Sequence, residues 1–304
     1  MKKAAIISII CWSLVAVLLL AGLWYGLNHS SGWSLPFLHI GSDEKTPFEG
    51  ETAQSKTSLP AQDITQIQIN WMAGDIHIVQ HNSPEIAFEQ TSSWEIPEER
   101  LLRYRQQGGK LTINEGNTRL FTSLKGKTNL TVYLPQNCSL QEFSVDMASA
   151  ALTIDCLQAQ AIRLDTASGS ITLGQVQTNS LEIDSASGSV QAENLQAEQV
   201  DINTASGSVD LTGSIQEIDC DTASGSVTVD SAVCPRQLDA DTVSGSVALR
   251  IPENAGFTAT LSAVSGSLST SFPCELSKGK AVYGDGSAQF SVNSVSGSFQ
   301  IKLR

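Results

Sequence analysis

Aromatic residues make up only 6% of this 304-residue chain, and charged residues only 16%. So little charge leaves no material for long solvent-facing helices rich in Leu, Glu and Lys, and the gap is filled by Ser, Gly and Thr, the residues of strands and turns. Histidine is scarce: His29, His39, His77 and His81 are the only four. His77 points outward from a strand, and neither HExxH nor GxSxG occurs. Gly284-Asp285-Gly286-Ser287 is a loop without the following Lys or strand-loop-helix setting that a phosphate cradle needs. Basic residues are also few, 18 against 31 acidic, for a net charge of −13. A surface this acidic repels phosphate backbones, so nucleic acid is excluded as a partner. Its ordinary consequence is solubility.

One long apolar run exists. Residues 4–23, AAIISIICWSLVAVLLLAGL, are uncharged and follow Lys2 and Lys3. A helix of about 20 residues crosses the ~30 Å hydrocarbon layer, and the lysines should remain on the cytoplasmic side. Residues 1–27 are therefore expected to be a cytoplasmic tip and transmembrane anchor, with Trp24 and Tyr25 at the interface. A cleaved signal peptide is the rival, but Leu23-Trp24-Tyr25 is a poor cleavage site. Either way the remainder lies outside the membrane. Residues 28–61, rich in Ser, Gly, Pro and Thr, read as a flexible stalk.

Within residues 62–304 a motif repeats, except over residues 85–135. Ser-Gly-Ser occurs seven times, at Gly169, Gly188, Gly207, Gly225, Gly245, Gly266 and Gly297, and degenerate copies centre on Ala150 and Gly74. From Ala150 the steps are 19, 19, 19, 18, 20, 21 and 31 residues. Aligned on the glycine, the position five before reads Val145, Leu164, Ile183, Ile202, Cys220, Ala240, Leu261, Val292. The position two after reads Leu152, Ile171, Val190, Val209, Val227, Val247, Leu268, Phe299. The positions seven before and four after are apolar by the same rule, and Ile67, Ile69, Ile76 and Ile78 obey it around Gly74.

Period-2 alternation on both sides of a glycine predicts two half-buried strands meeting at a corner. No copy can bury its own apolar face, so the copies must stack as rungs about 4.8 Å apart. The expected fold is all-β, a single-stack β-solenoid with rungs of ~19 residues. Residues 62–135 should form N-terminal cap strands, with KLTINEG and TNLTVYLP as strands, a hairpin at Gly108-Gly109, and antiparallel pairing over the solenoid end. Residues 136–304 should form the rungs, the last one following the insertion SFPCELSKGKAVYGDGS. The corner serines Ser149, Ser168, Ser187, Ser206, Ser224, Ser244, Ser265 and Ser296 are expected to face inward, as are Thr166, Thr204, Thr222 and Thr242 two residues earlier.

INWMAGDIHI, then the LTI and LTVYLP strands, then stacked SGS rungs and a YGDGS…SVSGSFQI ending, make residues ~62–304 resemble the bacterial "putative adhesin" family of β-strand-repeat surface proteins. The resemblance implies a β-repeat surface domain with no assigned molecular function, some of whose relatives belong to Lia-type cell-envelope stress responses. It carries no catalytic motif.

No enzyme is expected. A β-helix polysaccharide lyase or hydrolase needs clustered acids and aromatics to hold sugar, and the rungs between Ala150 and Phe257 contain no aromatic. No cofactor is expected. Two outward columns remain as candidate surfaces. Asp146, Asp165, Asp184, Asn203, Asp221 and Asp241 stand four before the corner, either as Ca²⁺ ligands or as a solvated polar edge, the latter favoured because Ca²⁺ takes 6–8 oxygens and each rung offers one carboxylate. Ala148, Ala167, Ala186, Ala205, Ala223, Val243, Val264 and Val295 stand two before it, as a contact strip or as plain strand surface. Cys138 and Cys156 fall on adjacent rungs, within reach of the ~5.5 Å Cα separation of a disulfide, and a bond between them is expected. Cys220, in the inward column, is expected to be a buried free thiol. The leading function is a non-enzymatic envelope protein that displays its solenoid for binding or stress sensing. An adhesin or wall-glycan-binding module is the alternative. The membrane, envelope proteins and wall polymers are the expected partners.

Overall fold

Two apolar columns on each side of a glycine corner leave a rung only one way to leave water, which is against another rung with the same columns. The computed structural model, which describes residues 52–116 and 126–304, is built in this way. Its strands join in one sheet, and no α-helix occurs among the described residues. The expected anchor and most of the expected stalk lie outside those residues. The end of that stalk does not: Thr52–Ala53 and Lys56–Pro60 are strands of the N-terminal cap.

The pairing reproduces the aligned columns residue for residue. Leu152 pairs with Ile171, Ile171 with Val190, Val190 with Val209, Val209 with Val227 and Val227 with Val247, all in parallel. Leu164, Ile183, Ile202, Cys220 and Ala240 pair in the same way on the other side of the corner. All of these are buried. Gly74 lies opposite Ala150, so the Gln66–His81 strand is the rung that precedes 139–154 in space.

Three features depart from expectation. First, part of the expected cap is itself a rung. Lys110–Asn114 and Asn129–Pro135 pair in parallel with the two halves of Gln66–His81, with Ile69 opposite Ile113 and Ile76 opposite Leu130. The two halves of this rung are separated in sequence by residues 115–128, where the neighbouring rung turns within a few residues. The antiparallel cap lies outside it: Arg103–Gln107 on Lys110–Asn114 through the Gly108-Gly109 hairpin, Glu85–Thr91 on Asn129–Pro135, and Lys56–Pro60 outermost.

Second, the rungs do not stack in chain order at the far end. The 289–303 rung pairs on one side with 237–251 and on the other with 257–270. The C-terminal strand is thus inserted between two earlier rungs, and 256–270 is terminal. Its first half is covered by the antiparallel hairpin of Glu275–Ser277 and Lys280–Gly284.

Third, the corner serines point out. Ser168, Ser187, Ser206, Ser224 and their equivalents are exposed, whereas Thr166, Ser185, Thr204, Thr222, Thr242 and Ser294, three before the glycine, are buried. The pairing ladder skips Ala167 and Ala186 between Thr166↔Ser185 and Ser168↔Ser187. The chain therefore bends one step before the serine, and inward phase ends at the threonine.

Aromatic residues, missing from the middle rungs, close both ends. Phe88 meets Tyr104 edge-on at 5.1 Å in the N-terminal cap. At the other end Phe257, Phe272, Tyr283 and Phe290 form a cluster with centroids 4.9–5.5 Å apart. Large rings cover the open cross-section of a core that aliphatic rows leave bare.

Candidate functional site: the outward columns of the stack

Stacking in register turns each outward position into a row of like residues one rung apart. Asp165 lies directly opposite Asp184, Asp184 opposite Asn203, Asn203 opposite Asp221, and Asp221 opposite Asp241. A second acidic row runs two residues earlier and was missed in the sequence: Glu182, Asp201, Asp219 and Asp239, headed by Arg163. The same alignment would have found it, six before the glycine.

Polar relief is local. Arg163 Nη2 donates to Glu182 Oε2 at 2.6 Å. Asn203 Nδ2 donates to Asp201 Oδ1 at 3.1 Å, and Asn293 Nδ2 to Asp241 Oδ1 at 2.7 Å. Partial burial, and then the neighbouring Asp146 and Asp184 charges, push the Asp165 carboxyl up to about 7. Burial, followed by Asp241, Asp219 and Asp201, pushes Asp221 up to about 6. Burial and like charges raise Asp201 and Asp219 as well. Among the described residues no group of three His, Cys, Asp or Glu side chains is placed to hold a metal ion.

Raised carboxyl pKa values in this row are expected to weaken the fold as pH rises. The folded pKa of Asp165 lies above its unfolded value, so its contribution is complete below about pH 4 and is lost as pH rises through about 7. Asp165→Asn should therefore stabilise the protein at about pH 8, by about 1–2 kcal/mol once solvent screening at this half-exposed site is allowed for. Near pH 5 the gain should be much smaller. Thermal unfolding at both pH values measures this. A variant equal to the wild type at pH 8 would show that the row is fully relaxed by water.

The strip two before the corner is half-buried along its alanines and opens only at its end, where Val264 and Val295 are exposed. Inside the corner, the hydroxyls of Thr166, Ser185, Thr204, Thr222, Thr242 and Ser294 have no partner among the protein atoms. The Gln66–His81 and 139–154 rungs differ there: buried Trp71 and Met147 stand three before the corner in place of a hydroxyl, and the strand runs on without a break through Gly74 and Ala150.

A buried carboxylate that sequence reasoning did not single out organises the N-terminal corner. Glu115 Oε2 accepts the Met72 and Ala73 amides at 2.8 and 3.3 Å, and its Oε1 accepts Thr128 Oγ1 at 2.9 Å. Burial raises its pKa against these bonds. It supplies acceptors to two backbone amides at the corner of the neighbouring rung. Nothing in the local sequence marks it.

The Toastrack DUF4097 family model matches residues 64–302, the whole of this rung stack. The chain belongs to the Toastrack DUF4097 family. Solved structures also resemble it. A "putative lipid binding protein" from Parabacteroides distasonis is 16% identical, with 84% of this chain and 97% of that one covered and a TM-score of 0.47. "Putative adhesins" from Parabacteroides merdae and Bacteroides fragilis are each 12% identical; they cover 83% and 85% of this chain, 96% and 99% of their own lengths, with TM-scores of 0.44 and 0.40. No curated protein matches in sequence. The resemblance read from the sequence, to a β-strand-repeat family of unassigned molecular function, is met by this family model.

Within the Toastrack stack the corner glycines share one constraint. A Cβ on Gly188 would stand 2.0 Å from the Gly169 carbonyl oxygen, and one on Gly245 1.8 Å from that of Gly225. Gly74, Gly169, Gly188, Gly207, Gly225 and Gly266 also have positive φ, while Gly245 and Gly297 do not. The common demand at all eight is therefore backbone approach between rungs.

The described cysteines are free thiols, and the expected Cys138–Cys156 bond is not formed. Cys138 packs against the core, whereas Cys156 takes the outward phase beside inward Leu157. The one-residue offset turns the two side chains to opposite faces. Cys220 is buried as expected, and burial together with flanking aspartates pushes its thiol up to about 12.

Proposed function

We propose that this Toastrack protein is a non-enzymatic envelope component that holds a rigid β-solenoid outside the membrane for binding or stress sensing. The observation that supports this reading is the parallel pairing that joins every rung between Gln66 and Leu303, shifted in register only between Ala192 and Leu195. Such a stack resists bending and presents each outward residue type as a fixed row, which suits recognition of an extended or repetitive surface better than chemistry at one point. The test is genetic and direct. Expression should rise on exposure to membrane-active antibiotics, and a deletion strain should become more sensitive to them. Unchanged expression and sensitivity, together with retention of purified wall glycans by the protein, would replace this reading with the wall-binding alternative.

The anchor is part of the same proposal. Lys2, Lys3 and the 20-residue apolar run support an orientation with the solenoid on the outer side. Protease added to intact, wall-stripped cells is expected to degrade the solenoid while the N-terminus stays at residue 1. Full protection, or a mature N-terminus near residue 28, would overturn it.

A further inference from the structure

Six of the seven Ser-Gly-Ser corners hand their glycine amide to the serine carbonyl of the next rung, as Gly169 does to Ser187 at 3.1 Å, Gly245 to Ser296 at 3.2 Å and Gly297 to Ser265 at 3.0 Å. Gly266 has no next rung. The Lys280–Gly284 cover strand reaches only as far as Thr260, and the last bond to the covering hairpin is Leu261 N–H to Gly279 O at 2.7 Å. Beyond it, the segment Leu261–Thr270 is an open sheet edge. It borders a groove of about 680 Å³ lined by Leu261, Val264, Leu268 and Val295, with Lys278 and Lys280 of the covering hairpin also on its wall.

We propose that this end of the stack is a self-association surface, on which the Leu261–Thr270 edges of two copies of the chain pair about a two-fold axis. Four observations select a second copy as the occupant. The edge reads LSAVSGSLST, with neither charge nor proline to discourage strand pairing. The large apolar side chains exposed among the described residues, Val264, Leu276, Val282, Val295 and Leu303, all lie at this end, Val264 at 72% exposure.

Charge is segregated in the same sense. Residues 139–255 carry 17 acids against three arginines, whereas residues 256–304 carry Glu275 and Asp285 against Lys278, Lys280, Lys302 and Arg304. Side-by-side contact would press one acidic belt on another, and contact through this end keeps the belts apart. Finally, the opposite end offers no matching edge, since its outer strands are Lys56–Pro60, with Lys56 at one end and Pro60 at the other, and the two-residue Thr52–Ala53. Head-to-tail stacking therefore lacks its second half, and the closed, isologous arrangement remains.

The full chain, purified in detergent and measured by sedimentation equilibrium, is expected to show a protein mass twice its 32.4 kDa. Val264→Glu and Val295→Glu each place a carboxylate in the contact without touching the core. Each should raise the dissociation constant about a hundredfold while leaving the unfolding temperature unchanged. A monomeric wild type, or a dimer that survives both substitutions, would overturn the proposal.

Discussion

Phe299→Ala is expected to destabilise the protein by roughly 3–5 kcal/mol, while Leu268→Ala, at the same column position, should cost roughly 1 kcal/mol. Chain order suggests the reverse, because Phe299 belongs to the last rung in sequence and Leu268 to the one before. In space the ranking changes. Phe299 is fully buried between Val247 on one rung and Leu268 on the other, and Leu268 is the half-exposed member of the terminal rung. Truncation to Ala at Phe299 leaves a cavity walled on both sides, which the fixed rung spacing cannot collapse. At Leu268 water already reaches the side chain. Deletion of the whole strand pair from Ala288 onward should go further. It removes Phe290, Val292, Phe299 and Ile301, each worth about 1.5–3 kcal/mol of burial, and strips a neighbour from two other rungs. That sum approaches the entire stability of an ordinary domain, so the truncated chain should fail to fold. Urea unfolding of the two alanine variants decides the matter. Equal losses, or a larger loss at Leu268, would mean that the rungs stack in chain order.

The columns that define the rungs were legible because burial on one face of a strand forces period-2 spacing, and repetition multiplied the signal eightfold. Val190, Val209 and Val227 could be placed opposite one another from spacing alone. The order of the last two rungs was not legible for the same reason that the columns were. Rungs carrying Leu261 and Val292, or Leu268 and Phe299, present the same faces, so either order satisfies the pattern. What chooses between them is the hairpin after Thr270, which occupies the outer edge of 257–260 and sends the returning chain inside. The rung formed by 110–135 escaped notice because 16 residues separate Ile113 from Leu130, where six separate Ile69 from Ile76. Its LTI and LTV segments do carry the right alternation. The direction of the corner serines was hidden because alternation cannot reveal where a bend interrupts it. Thr166 and Ser168 have the same parity, and only the backbone shows that one faces the core and the other water.

Gly207→Val is expected to cost about 4 kcal/mol or more, against a change within about 0.5 kcal/mol for Gln191→Val on an exposed strand position. Backbone strain explains only part of the larger figure. Gly207 has φ +151°, and a non-glycine residue there would cost about 1–3 kcal/mol. The rest comes from rung spacing. A Cβ on Gly207 would lie 2.0 Å from the carbonyl oxygen of Gly188 and 2.7 Å from its carbon, both far inside contact distance. The rung cannot retreat, because Gly188 donates to Ser206 and Gly207 to Ser224, each at 3.1 Å, and the Val190↔Val209 and Ile202↔Cys220 pairs hold it on both sides of the corner. Any relief must break those bonds or part the apolar columns. Gly245 separates the two contributions, since its φ is not positive while its Cβ would stand 1.8 Å from the Gly225 oxygen. If approach between rungs dominates, Gly245→Ala and Gly207→Ala should both cost about 2–3 kcal/mol by urea unfolding. If conformation alone dictates glycine, Gly245→Ala should be nearly neutral and only Gly207→Ala should suffer, which would refute the rung-spacing account of the Ser-Gly-Ser repeat.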